Sequence, residues 1–164
     1  MNILVSACLL AFNVKYDGKN NAHFLDEKKL LTLKKMANLI PICPEVYGGL
    51  STPRIPCEIL NMRVINKDGE DKTLNFEAGA KEALKAAKMF NCSYALLKEK
   101  SPSCGFESIY DGTFTHTLVK KNGVTAELLH SNNIKVFGES RIDELIQTIK
   151  SINRTSKKST ATQL

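Results

Sequence analysis

"YALLKEKSPSCG", residues 94–105, starts as an apolar strand and breaks into a knot of Ser, Pro, Cys and Gly that no strand accommodates. Residues 94–98 are too short for a buried helix, and Pro102 and Gly105 fix the backbone around Cys104 as a turn. A buried strand that opens into a loop at its carboxyl end is the signature of a parallel sheet, so the neighbouring segments need the same test. "NILVS" (2–6), "LIPIC" (39–43) and "IKVFG" (134–138) are short apolar runs of the same kind. Between them lie segments with helical spacing. Residues 25–39 carry Leu30, Leu31, Leu33, Met36 and Ala37. Residues 75–90 carry Phe76, Ala80, Ala83, Leu84 and Ala87 behind Asn75 as N-cap, and 123–133 and 141–152 read as two further helices. Alternation of strand and helix predicts an α/β fold: one three-layer, Rossmann-like domain with a mostly parallel sheet and helices on both faces.

Two stretches interrupt this rhythm. "PEVYGGLSTPRIPCE" (44–58) has too many prolines and glycines for regular structure and is too long for a simple connector. "ILNMRVIN" and "EDKTLNF" then read as a small hairpin around the Lys67-Asp68-Gly69 turn.

The chain has 164 residues, of which 43% are hydrophobic, enough for one domain with a full core and no disulfide support. The domain is expected over residues 1–150, followed by a disordered basic tail over 151–164 that lacks apolar periodicity. No segment has the length or flanks of a membrane span or a signal peptide, which predicts a soluble, cytoplasmic protein with no membrane partner. The formal net charge is +6, but Arg154, Lys157 and Lys158 of the expected tail supply three of those charges. What is left is only mildly basic, compatible with tRNA contact and equally with an ordinary solvated surface. Oligomeric state is not readable.

Five cysteines, an odd number, point to metal or thiol chemistry before a disulfide framework. Cys8, Cys43 and Cys104 each follow an apolar strand. In an open parallel sheet those positions share one edge, where ligands bind, so three cysteines remote in sequence meet in one crevice. Three thiolates leave a metal centre one ligand short, which suits an open catalytic position; zinc and a 4Fe-4S cluster both satisfy that count. Cys57 and Cys92 lack this placement. With no Cys-x-x-Cys pair, a thiol oxidoreductase is disfavoured.

The ordered set "ILVSACLL", "KYDG", "PICPEVYGGLSTPRIPCEI", "KSPSCG", "IYDGTF" and "GVTAELL" resembles the family long catalogued as domain of unknown function 523, whose characterised members include thiouracil desulfidases. The resemblance runs from about Ile3 to Glu139. It implies a 4Fe-4S cluster held by Cys8, Cys43 and Cys104, whose fourth iron takes the sulfur of a thiolated pyrimidine, thiouracil or 4-thiouridine, without net redox chemistry. Two positions depart from the family pattern: Ala11 stands where a glycine is usual, and Lys15 where an arginine is usual. Ala11 matters if that glycine serves a positive φ; Lys15 keeps the charge and loses the bidentate fork.

Around such a centre, Glu45, two residues after Cys43, is placed for general acid–base catalysis. Ser101 is the second catalytic candidate, by resemblance, with Ser103 beside it for substrate orientation. Gly48 and Gly49 let the backbone approach a ligand, and Arg54 between its prolines and Lys15 are candidates for substrate anchoring. Tyr16 and Tyr110, in two similar Tyr-Asp-Gly turns, are candidates for stacking on a pyrimidine, while Asp17 and Asp111 form those turns. His23, His116 and His130 share no ligand spacing. The competing reading is a non-catalytic cluster- or zinc-binding sensor or partner module, in which Glu45 is idle.

Overall fold

The computed structural model describes residues 1–161, with side chains through 154. Strand β1 (Asn2–Ser6) passes through a 3-10 turn (Ala7–Leu10) and a loop to helix α1 (Glu27–Met36); β2 (Asn38–Ile42) follows and runs into the short helix α2 (Pro44–Tyr47). The hairpin β3 (Cys57–Leu60) and β4 (Arg63–Asn66) precedes the long helix α3 (Thr73–Met89) and β5 (Cys92–Leu97). After the two-residue ribbon strands β6 (Ile109–Tyr110) and β7 (Leu118–Val119) come α4 (Val124–Ser131), β8 (Lys135–Gly138) and α5 (Ile142–Ala161).

The main sheet has the order β2-β1-β5-β8 and every pairing in it is parallel. Successive residues of β1 point to opposite faces, which sorts the core into two halves. Ile3 and Val5 pack with Leu33 of α1 and with Leu145, Ile146 and Ile149 of α5; Leu4 packs on the other face with Ala83 and Ala87 of α3 and Ala126 and Leu129 of α4. The result is the expected three layers. Burial on both faces explains why the strands read as continuous apolar runs and not as alternating ones. Helix α1 starts where Asp26 caps it, its side chain accepting from Lys29 N at 3.0 Å.

Two features differ from the sequence expectation. The hairpin of β3 and β4 turns at Asn61-Met62, both with positive φ (47° and 66°), and the expected turn at Lys67-Gly69 is a second fold-back, where Ile65 bridges Asp71 antiparallel and Asn66 N bonds Glu70 O at 2.9 Å. Two left-handed residues suit a hairpin because their twist matches that of the strands, but Asn-Met is not the Asn-Gly pair that announces such a turn. Helix α3 begins at Thr73, so Asn75 lies inside it and its side chain donates to Gly48 O at 2.8 Å. Helix α5 runs through Ala161, and residues 162–164 of the expected tail lie outside the described residues. Ala11 adopts φ 68°, so the alanine occupies the left-handed backbone that the family's glycine would serve.

Candidate metal centre

The main sheet changes direction at β1: one crossover carries the chain from β1 to β2, the next returns it past β1 to β5. Loops that diverge this way open a crevice beyond the carboxyl ends of the strands. Cys8 lies in the 3-10 turn immediately after β1, and its carbonyl accepts from Asn21 N at 2.8 Å. Cys43 directly follows β2 and stands at the start of α2, its thiol donating toward Val14 O at 3.8 Å. Cys104 follows β5 and is almost wholly buried, whereas Cys8 and Cys43 keep some exposure.

The Ser-Pro-Ser-Cys-Gly knot now has a physical account. The Ser101 hydroxyl accepts from Ser103 N and Cys104 N, both at 3.1 Å, and Gly105 N returns to Ser101 O at 2.9 Å. The loop's carbonyls in turn satisfy the first amides of α4: Pro102 O takes Val124 N and Ser103 O takes Thr125 N, each at 2.9 Å. No side chain fits at Gly105, where a Cβ would lie 2.6 Å from Ser101 O. Cys104 is therefore held by a rigid turn seated on a helix terminus.

Helix α2 is set against α3 by two glycines. A Cβ on Gly48 would lie 2.0 Å from Asn75 O, and one on Gly79 would lie 1.9 Å from Pro44 O. Gly48 thus serves a helix–helix contact and not the approach of a ligand. Gly49 has φ 84°, a turn conformation open to glycine. Glu45, on α2, receives Arg54 Nε at 2.7 Å on Oε2. The other guanidinium nitrogens of Arg54 are committed too: Nη2 to Val14 O at 3.0 Å, Nη1 to Ser51 O and Thr52 Oγ1 at 3.2 Å. With its side chain only 7% exposed, Arg54 ties the loop after β1 to α2 and aims Glu45.

Burial pushes all three thiols above their ordinary pKa. A bond from Asn21 opposes this at Cys8, a bond from Ser6 opposes it at Cys104, and backbone bonding opposes it at Cys43. Cys8 feels Cys43, Cys104 feels both, and Glu45 repels charge on each of them. The three cysteines all lie beyond the carboxyl ends of strands of the main sheet, and each thiol feels the charge of Glu45. These thiols are neutral until a ligand draws off their protons, and as a soft donor set they fit a thiolate-ligated metal group.

The remaining sequence candidates divide. Lys15 pairs with Asp17 at 2.8 Å and lies 5.0 Å from the Tyr16 ring, on the loop that follows Cys8, and Tyr16 is exposed there. Tyr16 O accepts from Arg54 N at 2.7 Å, which ties that turn to the site. Ser103 is fully buried, its hydroxyl 2.8 Å from Thr125 Oγ1, so its contact is with α4 and not with the crevice. Tyr110 sits on the β6–β7 ribbon, edge-on to His116 at 5.7 Å. Asp17 and Asp111 each accept from the amide two residues on, at 3.1 and 3.0 Å, forming the expected turns. His23 and His130 pack on Phe24 and Phe106. Cys57 is half-buried near Glu45, its thiol pushed up to about 11 by burial, and Cys92 begins β5 at the opposite edge from Cys104.

Sequence reasoning passed over Ser6, Asn21, Lys98 and Glu139. Ser6 Oγ accepts from Lys98 N at 2.9 Å, and the Lys98 ammonium pairs with buried Glu139. Ser6, Lys98 and Glu139 end or directly follow β1, β5 and β8, the placement that singled out the cysteines; as ordinary polar residues they lacked the rarity of cysteine.

The model of the 2-thiouracil desulfurase family matches residues 3–141. The protein YbbK of Bacillus subtilis (strain 168), described as uncharacterized, is 38% identical over 156 residues, spanning 88% of this chain and 99% of that protein. The solved structure of the 4Fe-4S-dependent thiouracil desulfidase TudS superposes with a TM-score of 0.85 at 39% identity, covering 91% of this chain and 97% of that one. With a family model over nearly the whole domain and relatives matched end to end, the chain belongs to the 2-thiouracil desulfurase family.

Proposed function

We propose that this protein replaces the sulfur of a thiolated pyrimidine, thiouracil or 4-thiouridine, with oxygen from water, using a 4Fe-4S cluster held by Cys8, Cys43 and Cys104. What supports the reading is the placement of those three cysteines after strands of one parallel sheet and their electrostatic coupling to Glu45, in a chain similar to the solved 4Fe-4S-dependent thiouracil desulfidase TudS. Among the described residues no three His, Cys, Asp or Glu side chains are grouped to hold a single metal ion.

When bound, a cluster with three cysteine ligands supplies one iron free of protein ligation, a soft Lewis acid suited to a thiocarbonyl sulfur. The chain's own groups account for the protons. Glu45 is held by Arg54 as an ion pair through Oε2, which leaves Oε1 to accept a proton from water as it attacks the thiocarbonyl carbon. Both lone pairs of the Ser101 hydroxyl are engaged by amides, so its remaining capacity is its proton, which it donates to the pyrimidine. The carbon–sulfur bond breaks, a carbon–oxygen bond forms, and sulfur leaves as sulfide with no change in electron count. Arg54 positions Glu45 in this scheme and does not touch substrate.

Anaerobic reconstitution followed by iron counting and incubation with thiouracil tests the reading. Wild type is expected to turn brown and release uracil and sulfide. Cys8→Ala, Cys43→Ala and Cys104→Ala should each lose iron, while Cys57→Ala and Cys92→Ala keep it. Undiminished iron in any of the first three removes that residue from the centre, and a colourless protein carrying zinc favours a binding module.

A further inference from the structure

Lys98 follows β5 directly and is the least expected charge in the site. Its amide donates to Ser6 Oγ at 2.9 Å, and Ser6, itself buried, bonds the Cys104 thiol. Its ammonium has three partners: the Glu139 carboxylate, Glu99 O at 3.2 Å, and the face of Phe24 at 4.3 Å from the ring centroid. Glu139 is buried, and its second oxygen takes Glu99 N, while Glu99 is held by Ser140 N at 3.1 Å. An ammonium with all three protons placed on fixed partners does not swing out to solvent.

The ammonium also lies beside the Cys8 turn: Phe24, whose ring it faces, bonds Asn21 O through its amide at 3.0 Å, and Asn21 N bonds Cys8 O at 2.8 Å. Lys98 attracts negative charge on Cys8, whereas Cys43 and Glu45 repel it. The other cations nearby serve differently: Arg54 is committed to Glu45, and Lys15 is more exposed and paired with Asp17. Charges in water are screened over about 8 Å at physiological salt, but buried ones far less. We propose that Lys98, anchored by Glu139 and Phe24, is the resident positive charge of the three-cysteine site, offsetting the negative charge that thiolates and abstracted sulfide bring into a poorly hydrated crevice. Lys98 is a positioning charge here and not a catalytic residue, and the inference rests on the cluster reading above.

Reduction adds an electron to a cluster, so its midpoint potential reports the local charge without requiring turnover. Wild type is reconstituted and its iron, spectrum and potential measured beside Lys98→Met, Lys98→Arg and Glu139→Gln. Lys98→Met should lower the potential and Lys98→Arg should leave it near wild type. Glu139→Gln should raise it, since the ammonium is then uncompensated. Opposite signs from two partners of one ion pair are not produced by a general loosening of the fold. An unmoved potential in Lys98→Met, or a fall in Glu139→Gln as well, overturns the inference. If Lys98→Met folds with an unchanged melting temperature but takes up no iron, normal loading of Lys98→Arg supports the charge role and an equally empty Lys98→Arg sinks it. Wild type that takes up no cluster refutes the reading of the site itself; loaded wild type with unmoved variants refutes only the role of Lys98.

Discussion

Glu45 owes its position to Arg54. The 2.7 Å ion pair fixes one carboxylate oxygen and leaves the other free, the oxygen to which the proposed scheme gives the base role. Glu45→Gln keeps the volume and can still accept one bond from Arg54, so the expected outcome is a chain with full iron content and a turnover reduced by roughly a hundredfold to ten-thousandfold. Near-normal turnover with the cluster intact would return Glu45 to a turn residue. At this scale the sequence was legible where chemistry restricts the residue type. Cysteines after strands are rare enough to stand out, and Glu45 lies beside one. For Ser103 and Arg54 the sequence left open which way the side chain faces. Ser103 turns into α4, and Arg54 spends its donors inside the protein.

At the level of elements, the centre depends on the contact between two helices. Helix α2, which carries Glu45 and starts at Cys43, is positioned by backbone-to-backbone contact with α3 at Gly48 and Gly79. A methyl on Gly79 has nowhere to go, because its obstacle is the Pro44 carbonyl and not a flexible side chain. Gly79→Ala should therefore push α2 away from α3, costing about 1–3 kcal/mol as overpacking does. Its signature is a lower melting temperature together with less iron per chain, because the Pro44 it displaces directly follows Cys43. An unchanged melting temperature and normal iron would show that α2 is placed by its loops instead. Gly79 drew no notice in the sequence because a glycine inside a helix is usually only a weak point; here the backbone approach of a second helix requires it.

For the whole molecule, the question is which form of substrate reaches the crevice. Among the described residues no helix is long and apolar enough to cross a membrane. The net charge of +6 includes Arg154, Lys157 and Lys158 near the C-terminus, and the cations around the centre are paired with Glu45, Asp17 and Glu139. Paired charges neutralise few phosphates, so contact with tRNA should add little affinity. We expect thiouracil and 4-thiouridine nucleoside to be turned over with little dependence on salt, and 4-thiouridine-containing tRNA more slowly. Turnover measured for each across a salt series decides this, and faster turnover on tRNA that collapses with added salt would make the basic C-terminal end a binding element.

The strand–helix alternation, the parallel sheet and the placement of Cys8, Cys43 and Cys104 beyond the ends of its strands were all determined by the sequence alone. Each follows from local rules: apolar runs form buried strands, right-handed crossovers align their carboxyl ends, and a residue just past a strand must lie at that edge. The hairpin turn at Asn61-Met62, the start of α3, the left-handed backbone at Ala11 and the Lys98–Glu139 pair were decided only by tertiary structure. In these cases the partner is far away along the chain. Lys98 meets a carboxylate forty-one residues later because β8 lies beside β5. A buried ammonium is tolerated only where such a partner offsets its lost hydration, and no pattern local to residue 98 records that the partner exists.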